Sequence, residues 1–134
     1  MATKIFINYR RGDVRSDAAR IRDRLAAVFG QANVFMDVEN LVAGQRFDMA
    51  LNKELAQCDV LVAMIGPRWL DLLKERQAST EGDFVREEIA AALKRAIPVI
   101  PVLIDRAPLP RADQLPEDLR NLVMYHKHDV THEH

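Results

Sequence analysis

Apolar positions along this chain change period in a regular way. Short apolar runs alternate with segments in which apolar residues recur every three to four positions. Lys4 to Asn8 predicts a first strand. From Ser16 to Phe29, the residues Ile21, Leu25, Val28 and Phe29 stand at i, i+4, i+7 and i+8, one face of a helix. Gly30 is placed to end that helix. Asn33 to Met36 predicts a second, short strand, and Phe47, Ala50, Leu51 and Leu55 mark another helical stripe. Asp59 to Ile65 is almost continuously apolar, as a strand covered on both faces must be, and Gly66-Pro67 ends it. Part of Arg68 to Arg76 predicts a helix, and Asp83 to Arg95 a clearer one. Ile97 to Ile104 predicts a fourth strand, whose Pro98 and Pro101 suggest an edge or irregular position. Leu115 to Leu122 predicts a helical turn, and Leu122 to Tyr125 a fifth short strand.

Strands alternating with helices, the strands buried, predict a parallel sheet with helices on both faces. The fold class expected is α/β, a flavodoxin-like three-layer α/β/α domain over residues 1–134. Its five parallel strands take the order 2-1-3-4-5, and ligands bind beyond their carboxyl ends. Three segments lie there: Tyr9 to Arg15, Asp37 to Arg46, and Gly66 to Gly82.

Composition narrows the classes of function. The 134 residues suit one domain, and a balance of 49% hydrophobic to 29% charged residues is that of a soluble globular protein. One cysteine, Cys58, cannot form an internal disulfide, which points to a reducing compartment and so to the cytoplasm. Met1-Ala2-Thr3-Lys4 runs straight into the first strand without the basic and apolar regions of a signal peptide. No apolar run reaches the roughly 18 residues of a membrane helix, so no membrane partner is expected. Nineteen Lys and Arg against 20 Asp and Glu leave a net charge of −1, which argues against a nucleic-acid partner.

Several chemistries are missing from the ligand edge. No G-x-G-x-x-G follows the first strand, and there is no P-loop. A phospho-accepting receiver domain needs acidic residues after its first and third strands; here those places hold Asn8-Tyr9-Arg10-Arg11 and Ile65-Gly66-Pro67. All four histidines, His126, His128, His132 and His134, lie at the far C-terminal end, which rules against a Ser–His–Asp device. Their two H-x-H pairs lack a completing carboxylate or cysteine, and no functional metal site is expected.

Four segments do stand at that edge in order. They are Phe6-Ile7-Asn8-Tyr9-Arg10-Arg11; Val34-Phe35-Met36-Asp37-Val38-Glu39 leading to Gly44; Ile65-Gly66-Pro67-Arg68-Trp69-Leu70; and Asp83-Phe84-Val85-Arg86-Glu87-Glu88-Ile89. Together they resemble the boxes of the Toll/interleukin-1 receptor (TIR) family in its bacterial form, from Lys4 to about Asp129. The resemblance implies homotypic association with other TIR domains. For many members it also implies cleavage of NAD with release of nicotinamide, NAD being substrate and no cofactor being needed; other members are adaptors.

The family's catalytic glutamate lies in an aromatic-x-x-x-Glu pattern, which Phe84 and Glu88 match, with Phe in place of the usual Trp. They share a helix face at i, i+4, apart from the sheet-facing stripe of Val85, Ile89, Ala92 and Leu93. Glu88 is then expected toward the rim; the bland alternative is a solvated glutamate in a charged run, with Glu87 as rival. Tyr9, Arg10, Arg11, Asp37, Glu39, Gly44, Trp69 and Phe84 are the expected substrate-binding set. Arginine's forked donors suit phosphate oxygens; the alternative for either arginine is a surface salt bridge to Asp13 or Asp37, and Arg10 is favoured as the ligand. Trp69 either lines the pocket or, the preferred reading, packs in the core, and the Tyr9 hydroxyl meets ligand or anchors the loop. Leu41, Val42, Ala43 and Gly44 correspond to the family's mobile loop after the second strand. Its apolar tip suits a neighbouring copy unless it folds back onto the domain.

The resemblance further implies a closing helix after the fifth strand, where this chain stops at Thr131-His132-Glu133-His134. The chain is therefore expected to lack that helix and to belong to a longer protein carrying a sensing or oligomerising domain. The competing readings are an NAD glycohydrolase or cyclase active on self-association, a non-catalytic adaptor, and, last, a nucleoside deoxyribosyltransferase-like enzyme.

Overall fold

A computed structural model describes residues 3–36, 55–78, 83–124 and 128–130. Among the described residues five parallel strands form one sheet: β1 (Ile5–Asn8), β2 (Val34–Phe35), β3 (Val60–Ile65), β4 (Val99–Ile104) and β5 (His128–Val130). Their order is β2-β1-β3-β4-β5, the arrangement expected from the strand–helix alternation. Among the described residues the α-helices are α1 (Arg11–Phe29), α2 (Trp69–Gln77) and α3 (Phe84–Lys94), and residues 55–57 are also helical. No helix among the described residues is long and apolar enough to cross a membrane.

The period of two along β1 divides the core. Ile5 and Ile7 pack with Val14 and Ala18 of α1, together with Val62, Met64, Val102 and Ile104. Phe6 turns the other way, to Leu61, Ala63, Ile65, Trp69, Leu73, Ile89, Ala92 and Leu103. Continuously apolar β3 and β4 feed both clusters, as strands covered on two faces do.

Several sequence expectations are corrected. Helix α1 begins at Arg11, ahead of the expected Ser16, because a first turn continues into it across a kink at Val14 (φ −132°, ψ 37°) whose side chain is buried. Gly30 does end it, with φ 96° and its N–H donating to the Ala26 carbonyl. The far end of the α1 stripe is not covered: Val28 is 75% exposed, and Phe29 is also exposed. β4 is not an edge strand but lies between β3 and β5. Pro101 stands in register with Ala63 of β3, and the described part of β5 pairs with Val102 to Ile104. The fifth strand is His128–Val130, and the segment expected to hold it, Leu122 to Tyr125, is mostly 3₁₀ helix (Glu117–Met124). Leu119 and Leu122 are buried there against the α3 side of the sheet, in the helical turn expected over Leu115 to Leu122, which runs on to Met124.

Candidate active site

The last residue of β1 and the first turns of α3 meet at the carboxyl edge of the sheet. Since side chains alternate along an extended strand, Asn8 falls on the Phe6 face, toward α3. Continuing in extended backbone, Arg10 (φ −102°, ψ 125°) falls on that face as well. Both reach across to α3. The Asn8 amide Nδ2 donates to the Val85 carbonyl (3.0 Å) and to Glu88 Oε1 (2.7 Å). Arg10 donates from Nη1 and Nη2 to the two oxygens of Asp83 (3.0 and 2.7 Å), a forked pair of the strong kind.

Asp83 has a second task. It is the N-cap of α3, and its Oδ1 accepts from the Arg86 N–H at 3.3 Å. One carboxylate thus ends the helix and ties it to the strand. The Arg10 guanidinium also lies over the Trp69 ring, 5.4 Å from its centroid, so the arginine is held from two sides. Trp69 itself is fully buried in the core on the α3 side of the sheet.

None of Asn8, Arg10, Asp83 and Glu88 is more than 8% exposed. They are the buried polar and charged residues among those described, and they form one cluster. Three of the cluster's side-chain atoms, Asn8 Oδ1, Arg10 Nε and Glu88 Oε2, are buried without a hydrogen-bond partner, as is Nε1 of the adjoining Trp69. Folded proteins leave few such atoms, and where they collect a functional role is the usual reason. Burial raises the Glu88 carboxyl from 4.5 to about 8, with the neighbouring Asp83 and Glu87 charges adding to the rise and the Asn8 hydrogen bond opposing it. A carboxyl poised near neutrality beside a satisfied ion pair is the state expected of a group with chemistry to perform.

A third contact closes the edge from the side of β3. Asp13, in the first turn of α1, accepts from the Gly66 and Arg68 N–H groups, each at 2.9 Å, and Arg68 donates to the Gly12 carbonyl at 3.1 Å. A Cβ at Gly66 would run into Asp13 and Val14, so only glycine permits this approach.

The expected site residues are thus distributed unevenly. Glu88, Arg10 and Trp69 come together. Glu88 is 3% exposed, beneath the surface and not in a solvated charged run. The Arg10 salt bridge goes to Asp83, while Asp13 accepts from the Gly66 and Arg68 N–H groups. Phe84, one turn before Glu88, is 46% exposed. Arg11 is exposed and is the first residue of α1. Tyr9 packs partly against the α1-side cluster. Asp37, Glu39, Leu41, Val42, Ala43 and Gly44 lie outside the described residues. So do His126, His132 and His134.

Two members, Asn8 and Asp83, carry no role in the sequence reading. Strand alternation alone put Asn8 on the Arg10 face. Asp83 before a helix reads as a cap, and nothing local announces that the same carboxylate takes an arginine from 73 positions away.

A family model described as TIR domain matches residues 5–132 of this chain. The chain belongs to the TIR domain family. It is similar to the NAD(+) hydrolase sarm1 of Drosophila melanogaster, with 30% identity over 132 residues, 97% of this chain and 9% of that protein. This TIR domain therefore spans less than a tenth of that relative's length. Among solved structures it is similar to the TIR domains in the structure of the activated Roq1 resistosome directly recognizing the pathogen effector XopQ. That match has 20% identity and a TM-score of 0.57, over 92% of this chain and 70% of the other.

Proposed function

We propose that this TIR domain is an NAD(+) glycohydrolase, with Glu88 as the carboxylate that acts on the nicotinamide-bearing ribose. The observation that carries the reading is Glu88 itself: buried, held at Oε1 by Asn8, unpartnered at Oε2, and raised to about 8. The similarity to a protein named as an NAD(+) hydrolase supports the same substrate.

Little machinery is needed. The nicotinamide of NAD(+) is a cationic leaving group, so no acid has to protonate it. When the C1′–N bond breaks, its electron pair goes to the ring nitrogen and nicotinamide departs neutral. The ribose is left with oxocarbenium character, as in glycoside hydrolysis. An ionised Glu88 stabilises that developing charge. Water then adds to C1′ and loses a proton, giving ADP-ribose; attack by the adenine end of the same molecule gives a cyclic product instead. The unpartnered donors on Arg10 and Trp69 match the hydroxyl groups of a ribose in type. Phe84 retains an aromatic face for stacking, though without the indole donor of the family's usual Trp.

Because Glu88 is shut off from solvent, the reading requires covering residues to move as substrate enters. We tie that movement to self-association with other TIR domains, through Leu41 to Gly44, in the cytoplasm and within a longer protein. Concentrated protein incubated with NAD(+) is expected to release nicotinamide, and Glu88→Ala and Glu88→Gln to lower the rate by about a hundredfold or more. Wild-type rates in both variants would show that Glu88 is not the catalytic group. No nicotinamide from wild type, even with copies forced together, would leave an adaptor that works by docking alone; the Phe at position 84 is the feature that favours that second reading.

A further inference from the structure

We propose that Asn8 is the positioning residue for Glu88: its amide selects which carboxyl oxygen is held and which is left for the substrate. The proposal rests on the catalytic reading of Glu88 and assigns a task to a residue that does not itself touch the reacting atoms.

The orientation of the Asn8 amide is decided by the backbone. Nδ2 lies 3.0 Å from the Val85 carbonyl, which can only accept, so the NH2 end and not the oxygen must face α3. Its second proton then has Glu88 Oε1 at 2.7 Å. Oε1 is an acceptor in this arrangement, so when the carboxyl is protonated its hydrogen resides on Oε2. That is the oxygen without a partner. One amide therefore sets the side-chain rotamer of Glu88, the site of its proton, and its distance from the end of β1.

The strand end is a firm reference point. Asn8 is fully buried and pairs in register with Ala63 of β3, the central strand. Val85 lies in the first turn of α3 and Glu88 in the next, so the two bonds from Asn8 span one turn of helix and suppress its sliding or rotation relative to β1. Holding a reactive group on rigid elements by a fixed neighbour is what keeps it within a fraction of an ångström of working geometry.

The hydrogen bond has an electrostatic consequence as well. It favours the ionised carboxylate, against the burial that opposes it. The charges around Glu88 among the described residues are Asp83 and Glu87 on its own helix, which disfavour ionisation. Arg10, from the β1 side, has its charge paired with Asp83, and Arg86 of α3 pairs with Asp118. Trp69 of α2 brings no charge. Among the described residues, Asn8 is thus the side chain that lowers the cost of charging Glu88.

The test is a titration of the Glu88 side-chain carboxyl by carbon NMR, with NAD(+) turnover measured on the same samples. Asn8→Ala is expected to raise the midpoint by about one pH unit and to lower kcat by about ten- to a hundredfold, with KM changed less than about threefold. Asn8→Ser, which retains a donor, is expected to recover part of both. In wild type the Asn8 amide protons are expected to titrate with the Glu88 midpoint, a reading that needs no variant to fold. Amide protons that ignore that midpoint, or a folded Asn8→Ala with unchanged midpoint, overturn the proposal, whatever happens to turnover. A raised midpoint with unchanged kcat overturns it too. If the midpoint moves but no form of the protein cleaves NAD(+), the Asn8–Glu88 coupling stands and it is the catalytic reading that fails.

Discussion

Arg10 and Asp83 are joined by two hydrogen bonds of 3.0 and 2.7 Å, with both side chains shut off from water. One residue closes the exit from β1 and the other begins α3, so the pair sets the angle at which the helix leaves the sheet edge. Removing one partner of a buried pair strands the other, at about 3–5 kcal/mol. Arg10→Ala and Asp83→Ala are each expected to destabilise by that order, and Arg10→Ala/Asp83→Ala by less than the sum. Urea unfolding of the three proteins measures the coupling. Additive single effects would mean that the two residues act independently.

Glu88 makes the fold less stable as the pH rises. Its carboxyl is at about 8 in the folded chain and near 4.5 when unfolded, so between these values the folded state holds the extra proton. Stability from this group is complete below 4.5 and is lost as pH climbs through 8, at up to about 1.4 kcal/mol per pH unit. Glu88→Gln mimics the neutral acid and is expected to stabilise the domain at pH 7 by on the order of 3 kcal/mol, with the gain vanishing near pH 4. Equal stabilisation at both pH values would contradict the ionisation argument.

The same carboxyl should govern the rate. If catalysis uses the ionised form, kcat/KM for NAD(+) rises with pH and levels off above about 8, because kcat/KM reports the free protein. A bound nicotinamide cation favours the carboxylate, so the midpoint in kcat is expected to lie lower. Nicotinamide release followed from about pH 6 to 9 checks both, and a flat kcat/KM profile would remove Glu88 from the rate-limiting chemistry.

Gly66 is expected to tolerate nothing larger. A Cβ there collides with Asp13 and Val14, both on the chain leaving β1. Gly66→Ala should cost about 1–3 kcal/mol through overpacking and lower NAD(+) turnover by loosening the edge. A thermal melt and the turnover assay test it together; an unchanged melt would show that the turn yields freely.

Much of the architecture was legible because it rests on local rules. Strand alternation, helical spacing, Gly30 after α1 and Gly66-Pro67 after β3 each act over a few residues, and together they imply a parallel α/β sheet. The fifth strand was misplaced for the same reason. The short apolar run from Leu122 is too brief for its period to tell strand from helix, and the turn expected over Leu115 to Leu122 continues through it to Met124. Pro101 suggested an edge, yet β4 lies between β3 and β5, because a strand's place in the sheet is set by its neighbours and not by one of its residues.

The candidate site divides along the same line. Sequence alone put Glu88 on a helix at the ligand edge and Arg10 at the exit of the first strand. Tertiary structure decided that Glu88 is buried, that Asn8 holds its Oε1, and that Asp83 takes Arg10. Hydrogen bonds and desolvation depend on what lies within a few ångströms in space, and those partners come from segments more than seventy residues apart.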